Sequence, residues 1–473
     1  MPIPALEPIE LNERKLLYDK FASILAEDKN LSRKLVSFQA NKASPIYRWF
    51  KYKEGFSSEL VKYYINKFNI IGKEVLDPFA GAGTTLFSSS ELGCNATGIE
   101  ILPVGIFAAD VRRAVERVDL KKLAKTVKEI WDKVDKALPS RQFIKHIPIT
   151  AGAFPEETER DLNQYLSVCE SIGKEQGLIL KFAAFTVLEE VSFTRKDGQY
   201  LRWDYRSNRT LGGKPFDKGR IVPFREAISR KLSEILDDVS PLKNQTLFFE
   251  EEKGKKGEIT LFEDSCLTKL NDFKENSFDL VITSPPYCNR YDYTRTYALE
   301  LVFLGADNET VKQLRQSMLS CTVENKSKEE EMRLFYKERN QESTFTQVMY
   351  VYQECAAMQE ILSFMEGFKV NGTLNNNGVV RMIRNYFLEM CFTIYEMARV
   401  LNQGGKIVMV NDNVQYAGEE IPVDLILSEF AERFGLTVSN IFVLQQQKGN
   451  SSQQMGNHGR TPMRKCVYLW EKL

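Results

Sequence analysis

The chain has 473 residues, 43% of them hydrophobic and 27% charged, a globular composition with room for two or three domains. Its 64 basic residues equal its 64 acidic ones, so net charge gives no argument for a polyanion partner, and any such site must come from local clustering. Eight scattered cysteines without a CxxC pair, beside only two histidines, predict neither a disulfide framework nor a metal site.

No basic-then-apolar leader and no apolar run of membrane-spanning length occurs, which predicts a cytoplasmic protein, nucleoid-associated if prokaryotic. In chain order, residues 1–43 read as an N-terminal helical arm, with Leu16, Tyr18, Phe21, Ile24 and Leu25 spaced for one apolar face. An aromatic and basic stretch, Ser44 to Phe56, precedes an amphipathic helix capped by Ser57 or Ser58, with Leu60, Val61, Tyr64, Ile65 and Phe68 on its buried face. A short apolar strand then ends at Asp77. Pro78-Phe79-Ala80-Gly81-Ala82-Gly83 follows as a tight turn, and a helix opens at Thr84 or Thr85. Helix N-termini favour anionic groups. Cys94 to Glu100 reads as a second strand ending in an acid placed to accept hydrogen bonds from ribose hydroxyls. The glycine spacing is not that of a dinucleotide fingerprint, since Leu86 stands where a third glycine belongs, and Asp77 would repel a pyrophosphate.

The next credible strand begins only at Glu258, a connection far too long for a simple crossover, so residues 110–257 read as an inserted domain. It opens with a helix capped by Asp119, carrying Leu120, Leu123, Val127, Ile130, Val134 and Leu138 and stopped by Pro139; an apolar helix follows near Ile179 to Val191. Arg195, Lys196, Arg202, Arg206, Arg209, Lys214 and Arg220 then outnumber nearby acids and alternate with aromatics such as Trp203. That mixture suits a surface that grips phosphates and stacks or wedges bases.

The second half of the sheet starts at Ile259 to Phe262, ending in Glu263-Asp264-Ser265. Phe278 to Ile282 reads as a buried parallel strand that stops at Thr283-Ser284-Pro285-Pro286-Tyr287, because proline cannot extend a ladder. A rigid polar loop at a strand's carboxyl end suits a flat ring bearing an amine. Residues 304–378 read as a helical insertion and a possible second recognition element. A helix from Val379 to Val400 leads through Gly404-Gly405 into the strand Lys406–Val410, followed by a helix from Pro422 to Phe434 and strands at Ser439–Leu444 and Cys466–Trp470. The polar loop between those last strands carries His458 and Arg460 as potential nucleic-acid contacts.

Asp77-Pro78-Phe79-Ala80-Gly81-Ala82-Gly83-Thr84-Thr85 resembles motif I of the amino-methyltransferases, and Thr283-Ser284-Pro285-Pro286-Tyr287 resembles their motif IV in the form most often met in enzymes methylating cytosine N4 in DNA. Ser44 to Lys67 resembles motif X, Gly98 to Glu100 motif II, Glu263 to Ser265 motif III, and Arg384 to Asn413 motifs V and VI. The resemblance implies an α/β fold: a doubly wound, mostly parallel Rossmann-like sheet, residues 44–109 and 258–473, with an inserted, largely helical and loop-rich domain. It implies S-adenosylmethionine as cofactor, held by Phe56, Asp77, Pro78, Phe79, Gly81, Gly83, Thr84, Thr85, Glu100, Asp264 and Ser265. It also implies catalysis by Ser284, Pro285, Pro286 and Tyr287, with the target base flipped from double-stranded DNA onto Tyr287. A cognate restriction endonuclease is the implied partner. Adenine N6, an RNA amine and a non-catalytic cofactor-binding regulator are the alternatives.

Overall fold

The computed structural model describes residues 12–52, 55–137, 144–197, 201–209, 215–248, 255–444 and 463–473. Its strands are β1 (Leu25–Ala26), β2 (Glu74–Asp77), β3 (Asn95–Glu100), β4 (Thr194–Lys196), β5 (Leu201–Trp203), β6 (Ile259–Glu263), β7 (Phe278–Thr283), β8 (Leu401–Asp412), β9 (Val414–Tyr416), β10 (Glu419–Ile421), β11 (Thr437–Leu444) and β12 (Lys465–Glu471). Eight of them form one sheet in the order β1-β11-β12-β8-β7-β2-β3-β6. All neighbours are parallel except β12, which runs antiparallel to both β8 and β11.

Alternation along the central strands divides their side chains between two cores. Val75, Leu280, Ile282, Val408 and Val410 pack with Leu60, Val61, Tyr64 and Ile65 of the helix Ser58–Lys67. Leu76, Val281, Ile407 and Met409 face the other way, onto the helices Ala356–Val370, Gly378–Val400 and Val423–Arg433. A sheet covered on both faces by helices is the doubly wound α/β architecture expected from the sequence. Among the described residues no helix is long and apolar enough to cross a membrane.

Several elements differ from expectation. Among the described residues of the N-terminal arm the α-helix spans Asn12–Phe21, with 3₁₀ turns at Ala22–Ile24 and Ala40–Ala43; Leu17 and Phe21 are buried while Leu16 is 59% exposed. Leu25 and Ala26 then pair with Ile441 and Phe442 as an edge strand, so the arm is stitched into the sheet. The helix capped by Asp119 breaks at Glu129 into Leu120–Lys128 and Ile130–Lys136; Leu138 and Pro139 lie outside the described residues. Gly404 and Gly405 do not separate helix from strand. Helix Gly378–Val400 passes directly into β8, and the glycines sit within that strand, where its register against β7 shifts; Gly404 takes φ 74° there.

The boundary expected at residue 110 falls inside the helix Pro103–Arg117. Leu102, Val104, Ala108, Val111 and Ala114 share one core with the helices Glu156–Ser171 and Lys174–Val187, with Trp49 and Phe50, and with Tyr297 to Val311. The described residues of 110–257 are therefore packed continuously onto the part of the chain that carries the sheet.

Candidate active site

Strands β6, β3, β2 and β7 lie side by side, so Asp264, Glu100, Asp77 and Ser284 line up along their carboxyl ends. A cleft opens there, at the strand ends where open α/β sheets bind small ligands. Eleven of the residues singled out from the sequence line it: Phe56, Asp77, Pro78, Phe79, Gly81, Thr84, Glu100, Asp264, Ser265, Ser284 and Pro286. Gly83, Thr85, Pro285 and Tyr287 do not.

The turn after β2 explains its own composition. Gly81 has φ 53° and Gly83 φ 78°, conformations that L side chains rarely adopt, and a Cβ on Gly81 would come within 3.0 Å of the Tyr52 ring. Gly83 is the N-cap of the helix Thr84–Glu91. Thr85 points inward instead of toward the cleft. Its hydroxyl donates to Asp77 Oδ2 at 2.7 Å, while the Thr283 hydroxyl donates to Asp77 Oδ1 at 2.7 Å and the Phe79 N–H to the same oxygen at 3.1 Å. Asp77 thus fastens the turn after β2 to the end of β7. Burial pushes its carboxyl up to about 6, opposed by these hydrogen bonds from Thr85, Thr283 and Phe79.

Glu100 is likewise built in. Its Oε2 accepts from the Gly81 N–H and its Oε1 from the Leu102 N–H, both at 2.7 Å. Each oxygen spends one lone pair on the backbone, which leaves acceptor capacity on a residue lining the cleft. Burial pushes this carboxyl up to about 7, opposed first by the Leu102 and Gly81 amides. Asp264 is exposed; its Oδ1 accepts from the Ser265 N–H at 2.7 Å, and Ser265 caps the helix Cys266–Lys269. Hydroxyl acceptors on two acids, rings from Phe56 and Phe79, and close backbone approach at Gly81 fit an adenosyl group bearing a ribose and a cationic sulfur.

At the end of β7, Ser284 Oγ lies 3.1 Å from the Val410 carbonyl and 3.2 Å from the Tyr287 hydroxyl. Val410 oxygen can only accept, so the serine proton directed there leaves the Ser284 lone pairs as acceptors. Tyr287 departs from expectation. It is 1% exposed, with the Lys465 ammonium 3.4 Å from its hydroxyl and 5.2 Å from its ring centre. Lys465 is in turn paired with Asp412 at 3.2 Å. The ring is a buried support beneath Ser284, not an open stacking platform. Tyr52, from the aromatic and basic stretch before the helix Ser58–Lys67, and Tyr293, from the polar aromatic loop after Tyr287, also line the cleft; Ser317, Met318 and Leu319 line it too and escaped the sequence reading, because they come from a segment brought there only by tertiary packing.

The basic stretch of the insert sorts itself by strand alternation. β4 and β5 form an antiparallel hairpin in which Arg195 opposes Arg202, Thr194 opposes Trp203 and Lys196 opposes Leu201. Arg195 and Arg202 face solvent, Arg202 with Asp197 3.7 Å away and the Phe216 ring centre 4.1 Å from its guanidinium. Trp203 is 7% exposed, with the Arg209 guanidinium stacked 3.7 Å from its ring. Lys196 turns inward to an ion pair with buried Glu300, 4.6 Å above the Tyr297 ring. Arg206 is chelated by Asp204 at 2.6 and 2.9 Å, Arg209 is bound to the Pro148 and Ala151 carbonyls, and Arg220 meets Glu226 at 2.6 Å. Lys214, His458 and Arg460 lie outside the described residues. Among the described residues no cluster of three or more His, Cys, Asp or Glu is placed to hold a metal ion.

Residues 19–104 match the family described as DNA methylase, a profile for N6 and N4 methyltransferases. The chain is 46% identical over 467 residues to the type II methyltransferase M.AvaI of Nostoc sp. and of Anabaena variabilis, covering 97% of this chain and 93% of each relative. It is 41% identical to the type II methyltransferase M.BsoBI of Geobacillus stearothermophilus over 97% of this chain and 92% of that protein. A shorter match, 33% over 99 residues, is to the type II methyltransferase M.MjaII of Methanocaldococcus jannaschii, covering 20% of this chain and 18% of that protein. With the strand order, the acid-tipped cleft and relatives that span almost its entire length, this chain belongs to the type II DNA methyltransferases of the N4/N6 amino-methylating family.

Proposed function

We propose that the chain transfers a methyl group to N4 of a cytosine flipped out of double-stranded DNA, as the modification partner of a cognate restriction endonuclease. S-adenosylmethionine, the methyl donor that membership of this family implies, supplies an electrophilic methyl on a sulfonium. Glu100 and Asp264 would accept hydrogen bonds from its ribose and adenine ends, Phe56 and Phe79 would flank its rings, and Gly81 would let the backbone approach. An exocyclic amine is a poor nucleophile because its lone pair is delocalised into the ring. The Ser284 oxygen and the Pro285 carbonyl would each accept one N–H, drawing the nitrogen toward a tetrahedral shape with its lone pair directed at the methyl. Positioning and electrostatics then carry the rate. Asp77, tied to both Thr85 and Thr283, holds donor turn and base clamp at a fixed separation.

The observation that carries this reading is Ser284. A neutral hydroxyl stands at the clamp, with its own proton directed to the Val410 carbonyl at 3.1 Å, where adenine-directed relatives more usually have an acid. The outer face of the β4–β5 hairpin, with Arg195 and Arg202 toward solvent, supports a phosphate contact from the insert. Incubating DNA with enzyme and donor and then analysing the nucleosides is the test. N4-methylcytosine is expected, and methyladenine as the sole product would overturn the choice of base. Ser284→Ala is expected to lower kcat by roughly 100- to 1,000-fold, the scale of losing one aligned polar group at the reacting centre; unchanged turnover would refute its role.

A further inference from the structure

Two buried carboxylates near the cleft have no part in the chemistry above. Asp292 is 2% exposed and Glu389 is fully buried, and neither lines the cleft. Glu389, on the helix Gly378–Val400, accepts from the Ser320 N–H at 2.7 Å, from the Ser320 hydroxyl at 2.5 Å and from the Lys328 ammonium at 2.9 Å. Lys328 is itself 6% exposed and lies 3.0 Å from Ser320 Oγ. Asp292 caps the short helix Tyr293–Thr296 through the Arg295 N–H at 3.0 Å, and its Oδ2 meets Arg315 Nε at 3.0 Å. The Arg315 Nε–H itself donates to the Thr294 hydroxyl oxygen at 3.0 Å, so its contact with Asp292 is an ion pair.

Both anchors converge on one short run of chain. Between Arg315 and Ser320 lie Ser317, Met318 and Leu319, all of which line the cleft, and the Ser265 hydroxyl donates to the Ser317 carbonyl at 3.4 Å beside Asp264. Burying a charge is costly unless its partners are in place, and removing one partner leaves the other stranded. Two such matched sites on either side of three cleft residues make a wall whose position is set before any ligand arrives, which spares the ordering cost of binding.

We propose that Arg315–Ser320 is a wall of the methyl-donor pocket, and that Glu389 and Asp292 are positioning residues that hold it there. The proposal rests on reading the cleft as the S-adenosylmethionine site. Titrating the full-length protein with S-adenosylmethionine in a calorimeter tests it. Glu389→Gln, which strands the Lys328 ammonium, is expected to weaken donor binding about tenfold and to raise the donor KM, while kcat at saturating donor and affinity for duplex DNA stay within about twofold. Ser320→Ala, a milder change, is expected to weaken donor binding about threefold. The pair Glu389→Gln with Lys328→Met is expected to recover most of the loss, because the Gln carbonyl still accepts from Ser320 and no unpaired ammonium remains. Asp264→Ala serves as the reference for the cleft itself. If Asp264→Ala abolishes donor binding while Ser320→Ala and folded Glu389→Gln leave it unchanged, the wall proposal is overturned. If none of the three affects donor binding, the reading of the cleft fails and the proposal falls with it.

Discussion

The turn after β2 and the hairpin of the insert treat their polar residues in opposite ways. In the turn, Asp77 and Glu100 are buried carboxylates whose hydrogen bonds run to Thr85, Thr283, Phe79, Gly81 and Leu102, yet both still border the cleft. In the hairpin and the chain that follows it the charges look free in the sequence, but Lys196, Arg206, Arg209 and Arg220 are engaged by Glu300, Asp204, backbone carbonyls and Glu226. A constrained turn announces its job through glycine positions and an acid at a fixed spacing. A charge cluster does not, because the partner that neutralises each cation is chosen by the tertiary fold.

Three measurements sharpen or break this contrast. The largest effect is expected for Lys196→Met, which strands Glu300 in the core; removing one partner of a buried pair costs about 3–5 kcal/mol, seen as a lowered denaturation midpoint with the salt dependence of DNA binding unchanged. A stable variant with a shallower salt slope would return Lys196 to the DNA surface.

Next comes Glu100. Burial raises its folded carboxyl from 4.5 to about 7, so the folded protein holds this proton more tightly than the unfolded chain does. The associated stability is fully present below pH 4.5 and is lost as pH rises through about 7. Donor binding has the opposite sign if ribose hydroxyls bond to the ionised form: affinity should fall about tenfold as pH drops from above 7 to 6. Glu100→Gln should flatten that profile, and a wild-type profile already flat between pH 6 and 8 would remove Glu100 from the donor site.

The smallest change is expected for Arg195→Ala with Arg202→Ala. Losing the two proposed phosphate contacts should reduce the slope of log affinity against log salt by about 2, uniformly across sequences. Arg206→Ala should leave the slope unaltered.

Much of the candidate site's local geometry was legible because it is set over a few residues. The acid-tipped strands, the Gly81 and Gly83 turn and the proline stop after Ser284 each follow from backbone rules that act over a few residues. The misreadings are non-local. Leu25 became a strand because β11 offered an unpaired edge, which no periodicity within the arm could reveal. Tyr287 sits under Ser284 instead of facing the cleft because β12 brings Lys465 across its face from 178 residues away. Met318 and Leu319 line the cleft from a segment whose neighbours Arg315 and Ser320 are tied to the distant Asp292 and Glu389.

The helix Pro103–Arg117 bears on how target specificity can change between relatives. The chain leaves β3 at its carboxyl end through this helix and returns at the amino end of β6, where Gly257 lies so close to Cys94 that a Cβ would fall 1.8 Å from the Cys94 carbonyl. Gly105, in the first turn of the same helix, abuts the Gly81 carbonyl in the same way, and a Cβ there would fall 2.3 Å from that oxygen. Entry and exit of the proposed recognition region therefore stand at opposite ends of a strand, joined by a helix that also backs the cleft. A gene-level exchange of recognition regions would have its workable junctions after Arg117 and before Gly257, and a junction at residue 110 would graft half a helix and disturb the donor site along with the target.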